Sequence, residues 1–173
     1  MTKVTQDLLE RVAQLLEKQA IYETLLGIAR GVDRFDSALL AACIHPDAVI
    51  DMGGEAPVSG AAFAGALKPP PDPPLGRMHL VANPIITVSG DEARAESYIV
   101  SCQEFHSTAG SETRLRAGRY FDRFQRREGV WKLSHRTLID ELGRVDAVKQ
   151  AAPKGRHRGR PAPEDLTYKG RLA

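Results

Sequence analysis

Cysteine is nearly missing from this chain. Only Cys43 and Cys102 occur among 173 residues, too few for a disulfide framework. Each sits in an apolar run, so both read as small buried hydrophobes of a protein kept in a reducing cytoplasm. Metal-ligand spacings are missing too: there is no His-x₃-His, Cys-x₂-Cys or His-Glu-x₂-His, so no metal is expected. No G-x-G-x-x-G or P-loop run is available to cradle a nucleotide, and no G-x-S-x-G holds a serine nucleophile. No apolar run approaches the roughly 20 residues needed to cross a bilayer. The first eighteen residues are a charged amphipathic pattern and not a signal peptide. A net charge of +2 gives no footprint of a nucleic-acid binder. What these absences leave is a soluble, cytoplasmic protein, without nucleic-acid or membrane partners, whose chemistry would be acid–base work without a cofactor.

What is present is ordinary in bulk and ordered in detail. Hydrophobic content of 42% and charged content of 27% suit one globular domain. Leu8, Leu9, Val12, Leu15 and Leu16 recur at helical spacing, and Ile21, Leu25, Ile28 and Val32 continue the pattern. The two stretches predict one helix, continuous or gently broken near Ala20. A further, short helix spans Ser37 to Cys43 and stops at His45-Pro46-Asp47; His45 and His157 read as loop residues. A short strand over 48–52, a small helix over 61–67 and a Pro-rich loop over 68–74 follow; the loop reads as a rim or lid. Four strands close the domain, over about 78–89, 93–105, 112–126 and 130–140, joined by Gly90-Asp91 and by Arg127-Glu128-Gly129. Helices first and strands after predict an α+β domain with the helices against one face of a curved sheet. The domain is expected over residues 1–142. A basic Pro/Gly-rich tail over 143–173 would be solvated, or would dock on the domain or a neighbouring subunit. Glu164-Asp165 interrupts its charge, which argues against a nucleic-acid arm.

One carboxylate stands out. In Gly31-Val32-Asp33-Arg34-Phe35-Asp36, Asp33 falls at the edge of the buried helical stripe, where a charge is costly unless paired. Asp36 has a simpler use as the N-cap of the next helix. The partner expected for Asp33 is His79, in Arg77-Met78-His79-Leu80. Histidine titrates near neutrality, and a carboxylate on its far ring nitrogen fixes the tautomer and stabilises the imidazolium. Residue types alone leave open a strand histidine bonded to a backbone carbonyl.

The helical Val-Asp-Arg segment, His79 ahead of Asn83-Pro84 and the later Trp131-Lys132-Leu133-Ser134-His135-Arg136 strand together resemble the SnoaL-like branch of the nuclear transport factor 2-like superfamily. That group includes hexachlorocyclohexane dehydrochlorinase, scytalone dehydratase and bile-acid 7α-dehydratase. The resemblance implies a cone-shaped, antiparallel or mixed curved sheet with N-terminal helices over its open face, assembled as a homodimer or homotrimer. It implies a cofactor-independent lyase or isomerase, dehydratase-like or dehydrochlorinase-like, in which His79 removes a proton from a hydrophobic cyclic substrate (steroid-, polyketide- or aromatic-like) and Asp33 orients it. Relatives carry lysine or tyrosine five positions before the aspartate; Ile28 stands there and should make the pocket floor drier. Further expected substrate contacts are Tyr22, Tyr98, Cys102 and Arg136, in a mostly apolar wall supplied by Leu25, Ile28, Val49 and parts of 78–82, 98–102 and 131–139. Tyr22 either bonds a ligand or packs, and Arg136 either meets a substrate oxygen or forms a structural ion pair. Tyr98, Cys102 and His106 share a strand face with Glu96 and Glu104. The alternative to an enzyme is a non-catalytic module for a hydrophobic ligand, or an accessory subunit of the same fold.

Overall fold

The computed structural model describes residues 2–69, 76–107, 110–147 and 158–169. Helix α1 runs unbroken over Lys3–Arg34, and the Thr2 side chain caps it by accepting from the N–H of Thr5. At 1.5 Å per residue, its 32 residues span about 48 Å. Its buried residues, Ile21, Leu25, Ile28 and Gly31, all lie in the second half. The apolar residues of the first half stay exposed on this chain, Leu15 and Leu16 at 65% and 63%. The helix outruns the sheet, so its first turns have nothing to cover among the described residues. Glu17 marks the transition, accepting from Arg126 Nη1 and from the Trp131 indole N–H.

The turn out of α1 is compact. Phe35 takes a left-handed conformation with φ of 52°, and the N–H of Asp36 bonds back to the Gly31 carbonyl at 2.9 Å. The Asp36 carboxylate then accepts from the N–H of Leu39, opening α2 over Ser37–Cys43. A Cβ at Gly31 would lie 2.8 Å from the Leu40 side chain. Glycine is what lets the two helices come this close, directly behind Asp33.

The strands are β1 (Ile44–Asp51), β2 (Val58–Ser59), β3 (Arg77–Ser89), β4 (Glu92–Ser107), β5 (Gly110–Arg127) and β6 (Val130–Ala147). Helix α3, Gly60–Ala66, joins β2 to the Pro-rich segment, of which residues 70–75 lie outside the described residues, so the expected rim or lid is not described. The sheet order is β2-β1-β6-β5-β4-β3; β1 runs parallel to β6 and every other pair is antiparallel. The result is an open, mixed, curved sheet in an α+β fold. Register shifts bend it at Ala82/Ile85, where Asn83 has φ of 51° before Pro84, and at Ala117/Gly118. The main core lies between the second half of α1, α2 and the sheet. Leu25, Leu40, Phe124 and Leu133 are wholly buried in it, with Trp131 alongside.

Three local readings need correction. β1 begins at Ile44, ahead of Pro46, so His45 is a buried strand residue whose Nε2 lies 3.0 Å from the Gln125 carbonyl, and not a loop residue. Val49, expected to line the pocket, is exposed. β6 continues to Ala147, so the expected boundary between residues 142 and 143 falls inside a strand. Residues 158–169, with a short helix α4 over Leu166–Lys169, lie against the end of α1. The Ala162 N–H donates to the Arg34 carbonyl at 2.7 Å, and the Tyr168 hydroxyl donates to Asp36 at 2.8 Å. Arg34 pairs with Asp165, and Arg30 reaches both Thr167 and the Tyr168 ring. This part of the tail docks on the chain's own domain. His157 lies outside the described residues. Among the described residues, no helix is long and apolar enough to cross a membrane.

Candidate active site

Asp33 occupies the last turn of α1, where the negative end of the helix dipole disfavours a carboxylate. Two hydrogen bonds from one residue offset that cost. His79 Nδ1 lies 2.6 Å from Asp33 Oδ1, and the His79 backbone N–H donates to Asp33 Oδ2 at 2.9 Å. The carboxylate is therefore held from both oxygens. With Nδ1–H given to Asp33, the neutral ring keeps its lone pair on Nε2. The two side chains are only 10% and 11% exposed. The Gln103 side-chain amide nitrogen stands 3.4 Å from His79 Nε2. That contact is long enough to yield to a substrate.

His79 borders a cavity of about 500 Å³ between α1, α3 and the concave side of the sheet. Ile28 and Val32 line it from the helix; Phe63 and Leu67 come from α3 and the residue after it; Val81, Ile99 and Leu138 come from the strands. Alternation along β4 turns Ile99, Ser101, Gln103 and Phe105 into the cavity. Arginines also line it, which the expectation of a nearly all-apolar wall did not include. They are Arg77, Arg114, Arg116, Arg136 and Arg144.

Of the residues expected to contact substrate, Ile28 is buried at the cavity wall. Tyr98 and Cys102 are not: they alternate to the opposite side of β4, where Tyr98 is 52% exposed. Leu25, Tyr22 and Trp131 pack with the core away from the cavity. Arg136 borders the cavity, but Nε and Nη2 are spent on Asp122 at 2.9 and 2.7 Å and the guanidinium lies 3.8 Å above the Tyr120 ring centroid. It is a buried ion pair, the other of its two readings. Burial pushes the Tyr120 hydroxyl's pKa up, which keeps it a protonated donor beside that pair.

The sequence reading missed Arg77, Ser101 and Gln103. A signal for each was available. Arg77 is two residues from His79 and must share its strand face. Glu96 and Glu104 mark the even-numbered face of β4 as the solvent side, leaving Ser101 and Gln103 to point inward. Register sets Arg77 opposite Gln103 and His79 opposite Ser101. Among the described residues, no group of three or more His, Cys, Asp or Glu side chains could hold a metal ion.

The SnoaL-like domain family matches residues 13–137, most of the chain. The chain belongs to the SnoaL-like family. The SnoaL-like fold is shared with a hexachlorocyclohexane dehydrochlorinase, LinA type 2: 22% identity, TM-score 0.69, covering 84% of this chain and 99% of that one. A putative scytalone dehydratase from Novosphingobium aromaticivorans aligns at 22% identity and a TM-score of 0.64, covering 84% and 97%. The LinA type 3 dehydrochlorinase from Novosphingobium barchaimii aligns at 19% and 0.67, covering 83% and 99%. At these identities the likeness is one of fold. No curated protein matches the sequence.

Proposed function

We propose that this SnoaL-like protein is a cofactor-independent lyase or isomerase in which His79 is the general base and Asp33 its orienting carboxylate. The observation that carries the reading is the 2.6 Å contact between His79 Nδ1 and Asp33, with the opposite ring nitrogen at the cavity wall. A substrate with a C–H next to an activating carbonyl lays that bond over Nε2. Nε2 takes the proton, the C–H electron pair moves into the carbonyl as an enolate, and the new imidazolium is stabilised by Asp33. The enolate then expels a leaving group from the adjacent carbon, giving an alkene, or accepts a proton at another carbon, giving an isomer. Ring-sized hydrophobic compounds suit a wall built from Ile28, Val32, Val81, Ile99 and Leu138. The dehydratase and dehydrochlorinase names of the similar structures support the reaction class. The exposed leucines of α1 support a homodimer or homotrimer, in which a second copy would cover them.

The test begins with mass spectrometry of small molecules that co-purify with the chain, followed by turnover of the compound found. His79→Ala is expected to abolish turnover and leave binding within a few fold, because the base acts mainly in the transition state. Unchanged turnover in His79→Ala defeats the dyad mechanism and leaves a binding module in its place.

A further inference from the structure

Four of the five arginines around the cavity have acidic partners. Arg136 holds Asp122, Arg116 holds Asp140 at 3.1 Å, Arg144 holds Asp146 at 2.7 Å, and Arg114 lies 3.6 Å from Glu112. Arg77 differs. Among the described residues no carboxylate comes within ion-pair distance of it, and its Nε is buried without a hydrogen-bond partner. Asp33, whose charge Arg77 feels, already accepts two bonds from His79. Phe35 supports the guanidinium from one side, with Cζ 4.9 Å from the ring centroid. Burial lowers the Arg77 pKa from its ordinary value, with the charge of Asp33 and the Tyr120 hydroxyl opposing the shift. A half-buried guanidinium without an anion is costly to keep. A planar fork of donors suits an oxyanion bound by two parallel N–H···O bonds, and a carboxylate, with its single charge, is the one that fits beside the apolar wall of this cavity.

We propose that Arg77 is a specificity-determining residue that binds a carboxylate on the substrate, so that this cavity takes amphipathic acids and not neutral hydrophobes. The assignment rests on the reading of His79 as the base, and it narrows the substrate class. The apolar wall holds the ring body, and Gln103, opposite Arg77 in register, adds a neutral amide at the head-group end. Arg77 and His79 are two residues apart on β3, so their side chains stand about 6.6 Å apart along the strand. The carboxylate therefore sits several bonds from the carbon that loses its proton, as on opposite positions of one ring or on neighbouring rings. It is a handle and not the activating group, which remains a separate carbonyl.

A matched pair of probes tests this on the full chain: 2-naphthoate, and the isosteric but uncharged 2-naphthamide, titrated calorimetrically. Wild type is expected to bind naphthoate about tenfold or more tightly than naphthamide. Arg77→Met is expected to bring the two within about threefold of one another by weakening naphthoate alone. Arg77→Lys, which keeps the charge but loses the fork, should retain part of the preference and decides the matter if Arg77→Met does not fold. His79→Asn, which removes the base but keeps a side-chain N–H to offer Asp33, should keep the preference, which separates failure of this proposal from failure of the base assignment. Equal affinity for the two probes in wild type overturns the proposal. So does a preference that survives Arg77→Met, or one that vanishes in Arg144→Gln or Arg114→Gln at the cavity mouth but not in Arg77→Met.

Discussion

Asp33 is retained at the disfavoured end of a helix because His79 gives it both a ring N–H and a backbone N–H. Asp33→Asn keeps the shape but removes the charge that steadies the imidazolium and holds its tautomer. Turnover of the identified substrate should fall by about 10²–10⁴-fold, with circular dichroism unchanged, in a comparison of kcat/KM. The Arg136–Asp122 pair makes the opposite prediction, about stability and not chemistry. Its side chains are 5% and 0% exposed, so removing one partner strands the other. Asp122→Ala should cost about 3–5 kcal/mol by urea denaturation, while replacing both residues with apolar ones of similar volume should cost much less. A double change as damaging as the single one would show that the pair does more than neutralise itself.

The joint between α1 and α2 is the element on which the site depends. Gly31 lets Leu40 reach the α1 backbone, and that contact sets where the last turn of α1, with Asp33, meets β3. Gly31→Ala should therefore act twice. It should lower stability by about 1–3 kcal/mol through overpacking, seen as a lower urea midpoint. It should also reduce turnover more than the stability loss explains, because Asp33 shifts against His79. Loss of stability with kcat/KM intact would mean that the joint serves the core alone. The docked C-terminal segment is the second such element. Burial opposes charge on Asp165, but the Thr167 hydroxyl, the N–H groups of Arg160 and Thr167, and Arg34 outweigh it, lowering its pKa from 3.8 to about 2. A carboxyl depressed on docking contributes fully above pH 3.8, and the contribution fades as pH falls toward about 2. Limited proteolysis with an acid protease should accordingly cut residues 158–169 faster as pH falls through that window, ahead of the sheet.

On the scale of the whole molecule, the chain builds one covered and one uncovered region. The second half of α1 closes the core and the cavity, while the first half projects Leu8, Leu9, Leu15 and Leu16 into solvent. If a second copy covers them, Leu8→Glu with Leu15→Glu should lower the mass measured by light scattering and leave the spectrum of the folded chain unchanged. An unaltered mass in that variant would remove α1 from any interface.

Much of this protein is legible in local pattern, because local pattern is what side-chain periodicity controls. Apolar spacing predicts the α1 and α2 helices, Asp36 predicts the cap, and the β-branched runs joined by short turns predict the antiparallel strands. The cost of placing Asp33 at the edge of an apolar stripe likewise predicts that it has a partner. Alternation cannot say which face of a strand is covered when both faces carry apolar residues. On β4 the covered face proved to be that of Ile99, Ser101 and Gln103, not that of Tyr98 and Cys102. Nor can it pair residues that are distant in sequence. His79 stands 46 positions from Asp33, and Arg136 stands 14 from Asp122 across a β5–β6 register that shifts at two bulges. Those pairings depend on sheet register and on how helix and sheet dock, which are properties of the whole packed chain. For the same reason only the tertiary structure distinguished Arg77, because the lack of a carboxylate partner among the described residues can be seen only once the strands and helices are packed.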